Sequence, residues 1–220
     1  MLSTVIELLY IILLPVGLFL FLRRRTGASP FPLGVGYMTY MVVSWIRALF
    51  RMLMVYDGSV SAIIWSAILS GVLEELGRYF AFRKVLVSYT QPKDAMSYGI
   101  GHSACEIILS TGMIMLNEFL TAVQTGSEDM IGTLDIFGMI PTGMLIHIAL
   151  SVLVYISVNY RDSRKYLYIA AGIHIAGDII SGLSVKYLLD ISFLLYYALE
   201  IILAAAVVWY ARRVYKEMDG

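Results

Sequence analysis

Charge is scarce in this 220-residue chain: 15% of its residues are Asp, Glu, Lys or Arg, against 60% hydrophobic. That is far from the balance of a soluble domain. The formal net charge is zero, so no basic surface points to a nucleic-acid partner. Cysteine is nearly absent, and a single Cys105 excludes an intramolecular disulfide. No basic residue precedes the first apolar run, whereas Arg23, Arg24 and Arg25 follow it. This is the reverse of a signal peptide, so the first segment is expected to be kept. Proline is sparse, and Pro15, Pro92 and Pro141 fall near expected segment ends or turns. That counts against a transporter built on broken helices.

What the chain has instead is apolar length. Runs of about 20 residues, enough to cross a bilayer as helix, can be marked at about 4–22, 33–55, 60–82, 95–117, 138–160, 166–188 and 190–211. The expected fold is therefore an all-α polytopic membrane protein, one transmembrane domain over residues 1–220 with little chain left for a soluble one. Basic residues set its orientation. Arg23 to Arg25, Arg83, Lys84, Lys93, Arg161, Arg164, Lys165, Arg212, Arg213 and Lys216 all fall on one side. The other side holds Lys186 with Asp57, Glu128, Asp129 and Asp135. The positive-inside bias predicts the N-terminus outside and the C-terminus in the cytoplasm. Pro30 and Pro32 are expected to delay the second helix, and the longest outer loop, about 118–137, carries no recognisable motif.

Ionisable residues inside such segments are expensive and mark sites by default. The third segment reads GVLEELGRYFAFRK from Gly71 to Lys84. Ala67, Gly71, Glu74, Arg78 and Ala81 share one small, polar stripe at helical spacing, as expected of an interior face. Ile68, Val72, Glu75, Tyr79 and Phe82 form a bulkier stripe that reads as lipid-facing. Glu74 is thus the first choice for a working carboxylate, with Arg78 expected to pair with it at i,i+4. Arg47 and Arg51 read as anchors that snorkel outward or pair with an acid such as Glu200. Glu7 reads as a solvated interfacial carboxylate.

All three histidines of the chain lie in apolar segments. His102 has Tyr98 and Glu106 one turn away, His174 has Asp178 at i,i+4, and His147 lies between Gly143 and Ser151. At 1.5 Å per residue from the basic ends, Glu74 sits about 12 Å deep, His102 and His174 about 10 to 12 Å and His147 about 20 Å. A single polar cavity opening toward the cytoplasm is expected. A carboxylate there can take a proton from water, while imidazoles hold a metal or stabilise an oxyanion. Zinc suits two or three imidazoles plus a carboxylate, and Glu106 and Asp178 can orient the histidines beside them.

The ordered set Glu74-Glu75-x-x-Arg78, Tyr98-x-x-x-His102-x-x-x-Glu106, His147 and His174-x-x-x-Asp178 resembles the YhfC and PrsW intramembrane proteases. These belong to a wider group with the CAAX prenyl endopeptidases and the bacterial CPBP proteins. The short spacing to Arg78 is closest to the YhfC branch, and Tyr98 departs from the wider group, which has Phe there. The resemblance implies that the paired glutamates supply the general base, that His102 and His174 belong to the active site, that Asp178 assists, and that His147 is a further ligand or site residue. It also implies a prokaryotic cytoplasmic membrane, and a mechanism run either with a metal or by glutamate and histidine alone.

The function expected from all of this is intramembrane cleavage of a hydrophobic or membrane-anchored peptide near the cytoplasmic side of the lipid bilayer. Glu74, Glu75, Arg78, Glu106 and Asp178 are the catalytic candidates, and His102, His147 and His174 the metal candidates, with zinc as the cofactor. Two rivals use the same residues differently. A scaffold resembling the polytopic subunit of gamma-secretase needs the histidines for packing and not the glutamate pair. A proton-coupled or metal-ion transporter needs access from both sides.

Overall fold

The apolar runs fold as helices throughout the described residues, 2–53, 58–125, 133–187 and 193–219, of the computed structural model. In chain order they are α1 (Leu2–Thr26), α2 (Pro30–Met52), α3 (Val60–Phe80), α4 (Pro92–Ile107), α5 (Met113–Thr125), α6 (Thr133–Asn159), α7 (Lys165–Tyr187) and α8 (Phe193–Asp219). π-helical turns at Ala81–Val85 and Ile108–Gly112 extend α3 and join α4 to α5. Among the described residues seven helices are long and apolar enough to cross a membrane, the fourth running through α4, the π turn and into α5.

Several boundaries differ from the sequence expectation. Proline at the start of a helix loses only a hydrogen bond that was never made, so α2 begins at Pro30 with Ser29 as its cap, the Phe31 amide donating to Ser29 Oγ at 3.3 Å. Pro15 and Pro141 lie inside α1 and α6 rather than near their ends. The expected outer loop at 118–137 is helical up to 125 and again from 133; its centre, with Glu128 and Asp129, lies outside the described residues, as does Asp57. At the start of α4, Pro92 takes a first-turn position and the Asp94 carboxylate accepts from the Gln91 amide at 3.1 Å.

α4 and α6 form the middle of the bundle. α2 and α1 pack on α4, α8 packs on α6, and α3 packs on α2 and α7. Two glycines make these crossings close. A Cβ at Gly101 would stand 1.9 Å from the Leu33 carbonyl oxygen, and one at Gly36 would stand 2.1 Å from that of Tyr98, so the α2 and α4 backbones touch. Without a hydrophobic driving force in lipid, such small-residue contact is what lets helices associate. The core at the basic end is apolar and dense, with Phe82, Tyr98, Leu150, Leu153 and Tyr155 fully or almost fully buried. Many large apolar residues of the outer surface are exposed, Trp45, Trp65, Phe80 and Trp209 among them, as expected of a face turned to lipid.

Glu7 is not solvated. It is 2% exposed, beside the cluster that joins α1 to α4 and α6, and its Oε1 has no hydrogen-bond partner.

Candidate functional site

Glu74 and Glu75 are both buried, at 0% and 1% exposure. Successive residues on a helix point about 100° apart, yet both find cover because α3 is flanked by α2 on one side and by α7 and α6 on the other. The bulkier stripe is accordingly not a lipid face as a whole. Val72 is exposed, but Glu75 and Phe82 are buried.

The arginine pairing also differs from the expectation. Arg78 does not meet Glu74: its Nη1 donates to Glu75 Oε1 at 2.8 Å, the i,i+3 partner. Glu74 is served by Arg47, whose Nη1 donates to Glu74 Oε1 and to Ser70 Oγ, both at 2.6 Å. Ser70 Oγ donates to the same carboxylate oxygen at 2.8 Å, and Arg47 Nη2 donates to the Tyr40 hydroxyl at 2.9 Å. Arg47 therefore neither snorkels outward nor pairs with Glu200. Helical side chains lean toward the N-terminus of their helix, which for α2 is the basic end, and this brings the guanidinium down to the level of Glu74.

Glu74 Oε2 faces the imidazoles, 3.1 Å from His102 Nε2 and 3.6 Å from His174 Nε2. His174 Nδ1 is hydrogen-bonded to Glu75 Oε1 at 2.7 Å. His147 joins the same group, its ring centre 5.3 Å from that of His102 and 5.2 Å from that of His174. Its ring reaches the same layer. Counted from the observed helix ends, all four residues lie about 14 to 18 Å from the basic side. Arg78 Nη2 donates to His147 Nδ1 at 3.2 Å. A guanidinium only donates, so the neutral ring carries its proton on Nε2, which faces Glu106 Oε2 at 2.6 Å. Glu106 thus orients His147, across the helix interface, and not His102 on its own helix. Asp178 stands 3.8 Å from His174 Nε2, beyond hydrogen-bonding distance, and is more exposed.

Among the described residues, Glu74, His102 and His147 form the group whose donor atoms all lie within 4.8 Å of one another. This is the expected carboxylate with two imidazoles; His174 lies beside the group, its Nδ1 bonded to Glu75 and its Nε2 3.6 Å from Glu74 Oε2. The donors suit a borderline ion such as zinc. With bonds of about 2.0 Å, tetrahedral ligand atoms stand about 3.3 Å apart, close to the 3.1 Å between Glu74 Oε2 and His102 Nε2. Three buried polar atoms of the group have no hydrogen-bond partner, Glu75 Oε2, Arg78 Nε and His102 Nδ1. Arg47, Ser70 and Tyr40 were not among the sequence candidates. The available signal was an arginine inside an apolar segment, seven residues after a tyrosine and so on the same helix face.

A cavity of about 230 Å³ adjoins the histidines, bounded by α4, its π turn, α6, α7 and α8. Its lining includes His147, His174, Glu106, Asp178 and Glu200. Every lining residue lies level with the histidines or farther from the basic loops. The lining does not reach toward the basic side as expected, and Phe82, Tyr98 and Tyr155 pack together at that end.

A buried carboxylate–imidazole cluster in a bundle of seven membrane-spanning helices narrows the comparison with known proteins. The profile of the YhfC intramembrane metalloprotease family matches residues 10–143, more than half of the chain. The chain belongs to that family. The matched region holds Glu74, Glu75, Arg78, His102 and Glu106 and ends before His147 and His174. The chain is also 28% identical over 127 residues to the uncharacterized membrane protein YhfC of Bacillus subtilis (strain 168), which covers 52% of this chain and 49% of that protein. The chain thus spans about half the length of the curated relative it matches. No solved structure matches the chain.

Proposed function

We propose that this YhfC-family protein is an intramembrane endopeptidase that hydrolyses a hydrophobic or membrane-anchored peptide. The reading rests chiefly on the buried Glu74, His102 and His147 group, of which His147 reaches the wall of a polar cavity. Glu74, His102 and His147 would hold a zinc ion, with His174 beside them. When bound, such an ion supplies Lewis-acid polarisation of a peptide carbonyl and of water.

The remaining chemistry belongs to the side chains. Arg47 and Ser70 occupy Glu74 Oε1, which leaves Oε2 turned toward the imidazoles. Glu75 keeps Oε2 without a partner while Arg78 and His174 hold Oε1, so Glu75 is suited to accept the proton of the attacking water. His174, bonded to Glu75, can relay that proton to the departing amine. Arg78 fixes Glu75 and donates to His147 Nδ1; to ligate the ion, His147 would release one of its two ring partners, Arg78 or Glu106. Glu106 keeps that ring in register, and Asp178 borders the cavity.

The test separates ligand from base. Purified wild type is expected to carry about one zinc per chain and to cleave single-span peptides in liposomes. Glu75→Gln is expected to keep the zinc and lose cleavage. Glu74→Gln, His102→Ala and His147→Ala are expected to lose both while remaining folded. Zinc retained in Glu74→Gln and lost in Glu75→Gln would reverse the two glutamate roles, and a folded, metal-free, inactive wild type would refute the proposal.

A further inference from the structure

Beyond the water-activating group, the cavity carries a charge imbalance that hydrolysis does not use. Glu106, Asp178 and Glu200 all line it, and among the described residues no lysine or arginine does. Arg47 and Arg78, the arginines of this layer, are engaged with Glu74 and Glu75. Glu106 is held by His147 at 2.6 Å. Asp178 has only the more distant His174 Nε2, at 3.8 Å, and Glu200 has no ion pair among the described residues.

Glu200 is the decisive residue. It is 8% exposed, it lines the cavity from α8, and its Oε1 has no hydrogen-bond partner even though Ser181 bonds the carboxyl group. A buried carboxylate oxygen left without a donor is costly, most of all in a membrane-spanning segment. A ligand that brings donors removes that cost. Ser181 stands one helical turn beyond Asp178, on the same face of α7, and lines the same cavity.

We infer that Asp178, Glu200 and Ser181 form a subsite for a cationic group of the substrate, an ammonium or guanidinium, on the side of the histidines away from the basic loops. Among the described residues the metal-sized group of three donors is the Glu74 set, so Glu106, Asp178 and Glu200 do not together make such a group. A primary ammonium carries three donors and a guanidinium five, and either can bridge separated acceptors. The cavity has room for one long side chain or several waters. The substrate class is thus a membrane-embedded peptide with a lysine, an arginine or a free amino terminus about one to two helical turns from the scissile bond. This inference rests on the proteolytic reading.

The experiment uses the full chain in phosphatidylcholine liposomes with synthetic single-span peptides. Lysine, norleucine or glutamate is scanned through one half of the peptide, and each peptide is made with a free and an acetylated amino terminus. Binding is read by fluorescence with Glu75→Gln, and cleavage with wild type. At one register the lysine peptide is expected to bind about tenfold tighter than norleucine, and glutamate more weakly still, as expected for hydrogen bonds to charged groups. Glu200→Gln in the same background is expected to remove most of that preference, and Glu200→Asp to keep part of it. A preference that disappears on acetylation and ignores lysine would assign the subsite to the amino terminus.

Equal binding of lysine, norleucine and glutamate peptides, whichever terminus they carry, overturns the inference. So does a lysine preference that survives in Glu200→Gln, or failure of every peptide to bind. Cleavage without any cation preference defeats the subsite and leaves the protease. Cation-selective binding with no cleavage of any peptide defeats the protease and leaves the subsite.

Discussion

Arg78 is wholly buried and has two partners, Glu75 and His147, so its removal strands a carboxylate in the core. Arg78→Met is expected to destabilise the folded protein by about 3–5 kcal/mol, the usual result of leaving one partner of a buried pair. The double variant Glu75→Gln/Arg78→Met is expected to recover part of that loss, because no charge then remains unpaired. Unfolding in detergent micelles measures both, and a double variant worse than Arg78→Met alone would argue against the pairing as the source. Arg47 acts differently. It touches Glu74 Oε1 and leaves Oε2 to the imidazoles, so Arg47→Met should leave the donors present and misorient one of them. Zinc affinity is expected to fall about 10- to 100-fold, as for other groups that orient ligands, with Arg47→Lys intermediate. A competition titration against a chelator reads this without any substrate.

At the scale of elements, the site depends on the crossing of α2 and α4, which brings Arg47 and Tyr40 against the helix of His102. Tyr40 and His102 meet edge to face with ring centres 5.0 Å apart. Gly101→Ala would put a Cβ into the Leu33 carbonyl and force the helices apart. The expected cost is about 1–3 kcal/mol, the range for overpacking, together with weaker zinc retention. Gly172 is a matched control in the neighbouring helix α7. A Cβ there meets nothing within 4 Å, so Gly172→Ala is expected to be neutral or to stabilise by up to about 1 kcal/mol. Thermal unfolding of the two variants side by side checks the contrast. The π turn at Ile108–Gly112 belongs to this scale as well. Such turns recur at functional sites, and this one carries Ser110 and Thr111 into the cavity wall.

For the whole molecule the open question is which membrane face the cavity serves. The charge bias assigns the basic loops to the cytoplasm, and the cavity lies on the other side of the histidine layer. Cys105, the one cysteine, is buried, so wild type is a quiet background for labelling. Ser181→Cys is expected to react with a membrane-impermeant maleimide in intact cells, and Arg213→Cys, on the exposed end of α8, only after permeabilisation. The reverse pattern would invert the orientation of the chain and return the cavity to the cytoplasmic side. Phe82, Tyr98 and Tyr155 pack together toward the basic face, whereas a transporter needs access from both sides.

The number of spans and most of the residues that meet were legible in the chain itself, though Arg47, Ser70 and Tyr40 were not. Hydrocarbon demands long apolar helices, and it penalises ionisable groups so heavily that Glu74, Glu75, Arg78, His102, Glu106, His147, His174 and Asp178 stand out without any coordinates. Helical periodicity could show that Glu74 faces inward, because small residues surround it. It could not show who pairs with whom. Arg78 to Glu75, Arg47 to Glu74 and Glu106 to His147 are choices made across helix interfaces, where leaning side chains and glycine contacts set distances that spacing along one helix does not encode. The direction of the cavity was decided in the same way. It follows from which end of the bundle is filled by aromatic packing, and that is a property of all the helices together rather than of any one of them.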